Sequence, residues 1–192
     1  MLVLGLSGSL RTGSYNSALL RAAAGLLPPT VHMERYDQLA LVPPYCEDAD
    51  VDPGPPPVAD LRTRLAEADA VLIATPEYNA SVPGQLKNAL DWASRPYPDN
   101  VLRDKPAAVV GASTGLFGAV WAQVELRKIL STAGARVIDG ELAIADAPTA
   151  FDENLALVDP TATASLEQVI AQLVLAAGIT SAARRQPATT EA

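Results

Sequence analysis

Short unbroken apolar runs alternate along the chain with longer segments whose apolar residues recur every three or four positions. Runs at 1–6, 70–75 and 107–112 carry almost no polar side chain. That is the pattern of strands covered on both faces, as in a parallel sheet. Residues 30–36 alternate apolar and polar positions and predict a half-buried strand. Residues 136–138, joined by 141–144, predict a fifth. Helical periods fill the gaps at 14–27, stopped by Pro28 and Pro29, and at 58–68. A further helix opens at Pro83, with Leu86, Leu90 and Ala93 as its inner stripe. Two more span 119–132, stopped by Gly134, and 162–177.

Strands that alternate with helices in this way predict an α/β fold, a doubly wound five-stranded parallel sheet with helices on both faces. With five strands the flavodoxin-like order 2-1-3-4-5 is expected. A length of 192 residues fits a single domain. That domain is expected over 1–180, and 181–192, with Arg184 and Arg185, reads as a flexible C-terminal tail. In the expected order the first, third and fourth strands are neighbours. The loops that leave them therefore meet at one edge of the sheet, beside the switch point where open α/β sheets bind ligands. The Pro-rich connection at 37–57 is too long for a simple turn and is expected to border that edge.

The first of these loops is Ser7-Gly8-Ser9-Leu10-Arg11-Thr12-Gly13-Ser14-Tyr15-Asn16. It runs from a buried strand into a helix, whose N-terminus offers unpaired N–H groups and a partial positive charge. Hydroxyls of Ser9, Thr12 and Ser14 and the planar fork of Arg11 suit a terminal phosphate. The loop has neither a Gly-Lys-Ser/Thr ending nor a G-x-G-x-x-G spacing, so the common nucleotide loops are excluded. The competing reading is a tight turn capped by Ser14. The second loop, Thr75-Pro76-Glu77-Tyr78-Asn79, offers an aromatic ring and amides, or is a Pro-initiated turn. The third, Ser113-Thr114-Gly115, offers backbone N–H groups without bulk, or is a helix cap. A ligand that touches all three has a phosphate at one end and a flat polar ring at the other, the shape of FMN.

Charge and cysteine content narrow the partners. The net charge of −8 removes any general attraction for nucleic acid or anionic lipid, so Arg11 stands against its background. Cys46 is the single cysteine, which rules out an intramolecular disulfide and favours a reducing, cytoplasmic setting. The apolar start is too short for a signal segment. No stretch is expected to reach a membrane span free of charge and Pro. His32, the lone histidine, has no companion ligands and reads as a strand residue, so no metal site is expected.

Two of the loops carry a recognisable sequence. The segment from Gly8 to Asn16 resembles the G-S-x-R-x-x-S-x-N loop of the NADPH-dependent FMN reductase family, a group that includes chromate, quinone and azo-dye reductases. Pro76-Glu77-Tyr78-Asn79 matches its P-E-Y-N loop, and Ser81-Val82-Pro83-Gly84-Gln85-Leu86-Lys87-Asn88-Ala89-Leu90-Asp91-Trp92 matches the segment after it. The resemblance covers about 1–144. It departs at Leu116-Phe117, where family members often carry small residues. It implies FMN as cofactor, with Ser9, Arg11, Ser14, Tyr15 and Asn16 at the phosphate end and Asn16 acting through its backbone. Pro76, Glu77, Tyr78 and Asn79 would border the isoalloxazine, and Ser113, Thr114 and Gly115 its far edge. It implies NADPH or NADH as hydride donor and a ping-pong transfer of two electrons to a quinone, azo compound, metal oxyanion or free flavin. The cofactor carries that chemistry, so no catalytic side chain is expected. A homodimer or homotetramer is implied as well. Two other readings stay open: an FMN-binding electron carrier, against which Arg11 and the second loop argue, and a flavin-binding module without turnover.

Overall fold

The computed structural model describes residues 1–185. In chain order its elements are β1 (Leu2–Ser7), α1 (Tyr15–Gly25), β2 (His32–Tyr36), α2 (Pro56–Glu67), β3 (Ala70–Ala74), α3 (Gly84–Ala93), β4 (Pro106–Ala112), α4 (Val120–Thr132), β5 (Arg136–Val137), β6 (Ala143–Ile144), α5 (Ala147–Ala150) and α6 (Pro160–Arg185). The strands pair in parallel in the order β2-β1-β3-β4-β5, as the apolar runs predict.

Side chains alternate along each central strand, so the sheet feeds two cores. Leu4, Leu6, Val71, Ile73 and Val109 pack with Leu61 of α2, Leu86 and Trp92 of α3 and Leu126 of α4. Val3, Leu72, Ala74, Ala108 and Val110 pack with Leu19 of α1 and Leu166 and Leu173 of α6. Burying one such Leu is worth about 1.5–3 kcal/mol relative to leaving it exposed. Covered on both faces, the sheet leaves its C-terminal edge as the open place.

The fifth strand is interrupted. β5 pairs with the start of β4 and β6 with its end. Arg127 of α4 fills the break. Its guanidinium donates to the carbonyls of Ile138 (2.7 Å), Val109 (3.0 Å) and Gly140 (2.6 Å). Burial pulls the pKa of Arg127 down, with Glu141 and Asp139 opposing.

The C-terminal region differs from expectation. α6 continues to Arg185, so 181–185 are helical rather than tail, and 186–192 lie outside the described residues. Between Pro160 and Thr180 this helix is also long and apolar enough, by length and composition, to cross a bilayer. It begins at Pro160 and carries Glu167, so it is not the span free of charge and Pro that the sequence was expected to lack. Its stripe of Leu166, Val169, Ile170, Leu173 and Ala177 is nevertheless buried on the sheet.

Candidate functional site

The first loop is built to leave donors free. Ser14 caps α1, its Oγ accepting from the N–H groups of Asn16 (3.2 Å) and Ser17 (3.4 Å). Ser7 Oγ accepts from Ser9 N–H (3.3 Å) and from the Ser17 hydroxyl (3.0 Å). Gly8 packs tightly, since a Cβ there would stand 2.9 Å from Leu86 Cδ2 and 3.2 Å from Pro76 Cδ, so those side chains would have to shift. Among the described residues, the N–H groups of Leu10, Arg11, Thr12, Gly13, Ser14 and Tyr15 donate to nothing. The hydroxyls of Ser9 and Thr12 are equally free. Among the described residues Arg11 hydrogen-bonds only to Thr12 O, at 3.4 Å, and it lies 5.7 Å from the Tyr15 ring centroid. A cleft of about 300 Å³ joins Ser7, Ser9, Arg11, Ser14 and Ser17 to Arg21 and Arg35. Consecutive unpaired amides at a helix N-terminus, with hydroxyls and a free guanidinium beside them, fit a phosphate dianion.

The second loop is a two-residue hairpin. Tyr78 and Ser81 exchange N–H···O bonds of 3.1 Å in both directions, and Asn79 (φ 52°) and Ala80 (φ 58°) make the turn. That conformation is natural for Asn but costs Ala about 1–2 kcal/mol. The flanks of the turn are tied to α4. Glu77 Oε2 accepts from the N–H groups of Trp121 (3.0 Å) and Ala122 (3.1 Å). Glu125 accepts from the Ser81 hydroxyl (2.6 Å) and from Val82 N–H (3.3 Å). The Ser81 bond, and then the Val82 bond, hold the Glu125 carboxyl below its usual range.

The third loop folds back on β6 and α5. Ser113 Oγ accepts from Gly115 N–H (3.0 Å), and Gly115 O accepts from Asp146 N–H (3.1 Å). The N–H groups of Thr114, Leu116, Phe117 and Gly118 are unpaired among the described residues. Gly118 (φ 59°) passes so close to Ala143 that a Cβ would meet its carbonyl carbon at 2.6 Å. Leu116 and Phe117 are exposed, and Phe117 sits edge-on to Trp121, ring centroids 4.9 Å apart.

The three loops do meet at one edge. Gly8 N–H donates to Ala74 O (2.8 Å), and Glu77 bonds the start of α4. Asn16 joins the first loop to the end of β4, its Nδ2 donating to Ala112 O (2.9 Å) and its Oδ1 accepting Ala112 N–H (3.0 Å). Its side chain is buried and spent on Ala112, and its own N–H is given to Ser14 Oγ. Glu77 likewise spends one carboxylate oxygen on α4, and Tyr15 packs on Phe151 (5.3 Å) while supporting Arg11.

Sequence reasoning missed Ser7 and Ser17 in the cleft, and the work of the motif after the second loop. Gln85 Nε2 donates to Leu39 O and Val42 O (2.7 and 2.8 Å). Asn88 donates to Pro43 O (2.8 Å) and accepts Tyr45 N–H (2.7 Å), and Trp92 Nε1 donates to Pro43 O (2.8 Å). These three residues share one face of α3 and clasp the 37–57 connection onto it. Their spacing was the available signal.

The sequence profile of the NADPH-dependent FMN reductase family matches residues 1–149. The chain belongs to that family. An NAD(P)H-dependent FMN reductase of Pseudomonas aeruginosa is 46% identical over 174 residues, 90% of this chain and 93% of that protein. A quinone reductase of Escherichia coli K12 is 40% identical over 138 residues, 71% of this chain and 73% of its own length. Among solved structures, the flavoenzyme NAD(P)H:(acceptor) oxidoreductase FerB of Paracoccus denitrificans superposes with a TM-score of 0.83 at 34% identity, covering 93% of this chain and 97% of that one.

Proposed function

We propose that this member of the FMN reductase family holds FMN across the three loops and works as an NAD(P)H-dependent reductase of quinones. The observation that carries the reading is the run of amides from Leu10 to Ser14, unpaired among the described residues and in one cleft with Arg11. When bound there, FMN supplies the redox chemistry, taking a hydride from NAD(P)H and passing two electrons to the acceptor. The chain's own work is to bind and orient. The first loop and Arg11 hold the phosphate. The Tyr78–Ser81 hairpin and the 113–118 loop border the ring with free amides. Acceptors beyond quinones, namely azo compounds, metal oxyanions and free flavin, fit the same reading, because an open edge selects by access rather than by a tailored pocket. Donor and acceptor then use one face in turn, a ping-pong scheme. The same reading includes a cytoplasmic setting and a homodimer or homotetramer. The experiment that tests it is the visible spectrum of the purified protein with FMN, followed anaerobically. NADPH or NADH should bleach the flavin band, and a quinone should restore it. A bound flavin that neither donor bleaches overturns the reductase reading in favour of an electron carrier. A protein that takes up no FMN overturns the flavin site.

A further inference from the structure

The second loop contains a contradiction that its own sequence does not resolve. Two-residue hairpins of this hand favour Asn-Gly, and this one is Asn79-Ala80, with Ala80 at φ 58°. An alanine stays there only if the surroundings over-determine the turn. Both flanks are tied to one helix, Glu77 to the first N–H groups of α4 and Ser81-Val82 to Glu125 a turn further on. Trp121 and Ala122 give their amides to Glu77 rather than to an intrahelical partner. We propose that Glu77 and Glu125 form a two-point brace that fixes the Tyr78–Ser81 hairpin against α4, and that Glu77 is a positioning residue of the flavin bed rather than a flavin ligand. The brace aligns the free amides of Asn79 and Ala80 with those of the 114–118 loop, because the same helix carries both. This inference rests on the FMN reading above.

The test is a coupling measurement between the brace and the turn it holds. Glu77→Ala should lower FMN affinity about tenfold, the scale of one lost charge-assisted hydrogen bond. Glu77→Gln keeps an acceptor oxygen and should lose less. Ala80→Gly lets the turn hold itself. It should therefore recover most of that affinity in the Glu77→Ala background, and far more than it adds to the native chain. Glu125→Ala should be rescued by Ala80→Gly in the same way. Equal effects of Ala80→Gly in both backgrounds, or an unchanged affinity in Glu77→Ala, overturn the brace. Amide exchange of Tyr78 and Ser81 in the FMN-free protein gives the same comparison without flavin. Exchange should quicken in Glu77→Ala, or in Glu77→Gln should the alanine variant not fold, and slow again with Ala80→Gly. Native protein that binds no FMN yet shows this exchange pattern defeats the flavin reading and leaves the brace standing. Unaltered exchange defeats the brace alone.

Discussion

Arg11 and Asn16 sit in the same short motif and do opposite kinds of work. Arg11 is exposed, makes one long hydrogen bond to its neighbour Thr12, and stands beside a row of free amides. Asn16 is buried and fully spent on the Ala112 backbone. Arg11→Ala should therefore weaken FMN by about one to two decades, as expected for a lost bond to a charged group. Riboflavin, which lacks the phosphate, should lose little. Titration of flavin fluorescence with both ligands checks this, and equal losses would refute the phosphate assignment. At this scale the sequence carried the motif but not the partners. Residue types and spacing placed Ser9, Arg11 and Ser14 at a helix N-terminus, because that geometry is local. The partners of Asn16 and Glu77 lie far along the chain, at Ala112 and Trp121, so nothing local separated a frame residue from a ligand residue.

Whole elements were legible where one physical rule decided them. Unbroken apolar runs had to be strands covered on both faces, and the order of the sheet followed from their number. The fifth strand was legible only as two short runs, because its break depends on Arg127, a residue of a different element. That guanidinium serves three carbonyls that the interrupted ladder leaves without amides. Arg127→Ala should cost about 3 kcal/mol, the order expected when buried acceptors lose a charged donor. Urea unfolding, monitored by circular dichroism, measures it. Arg127→Lys keeps the charge but replaces a fork with a single nitrogen, so it should recover only part of the loss. Full recovery by Lys would mean that charge, not the fork, holds the break. The clasp on the 37–57 connection has the same logic. Gln85, Asn88 and Trp92 share a helix face, yet what they hold is an irregular segment some forty residues earlier, with no period of its own.

The two tryptophans, similar in sequence context, part at the scale of the whole molecule. Trp92 is wholly buried between α3 and the 37–57 connection. Trp121 is 48% exposed at the start of α4, with Phe117 at 59%, Val124 at 61%, Leu116 at 82% and Tyr78 at 51% exposed around the same loop edge. Exposed apolar side chains grouped like this are the kind of surface through which proteins meet other molecules. The charges nearby come in both signs, Lys87 paired with Asp91 on α3 and Glu125 close to Lys128 on α4, which suits a self-complementary contact between two copies. The proposed oligomer would use this surface and would place the partner's bulk beside the mouth of the flavin site. Light scattering at micromolar concentration should return at least twice the mass of one chain. Val124→Glu is the discriminating variant. Val124 already faces solvent in the single chain, so a carboxylate there should leave the thermal unfolding of the fold nearly unchanged. Between two copies it would bury an unpaired charge, so the measured mass should fall to that of one chain. A native chain that scatters as a monomer overturns the oligomer. A Val124→Glu chain that keeps its full mass moves the contact away from α4.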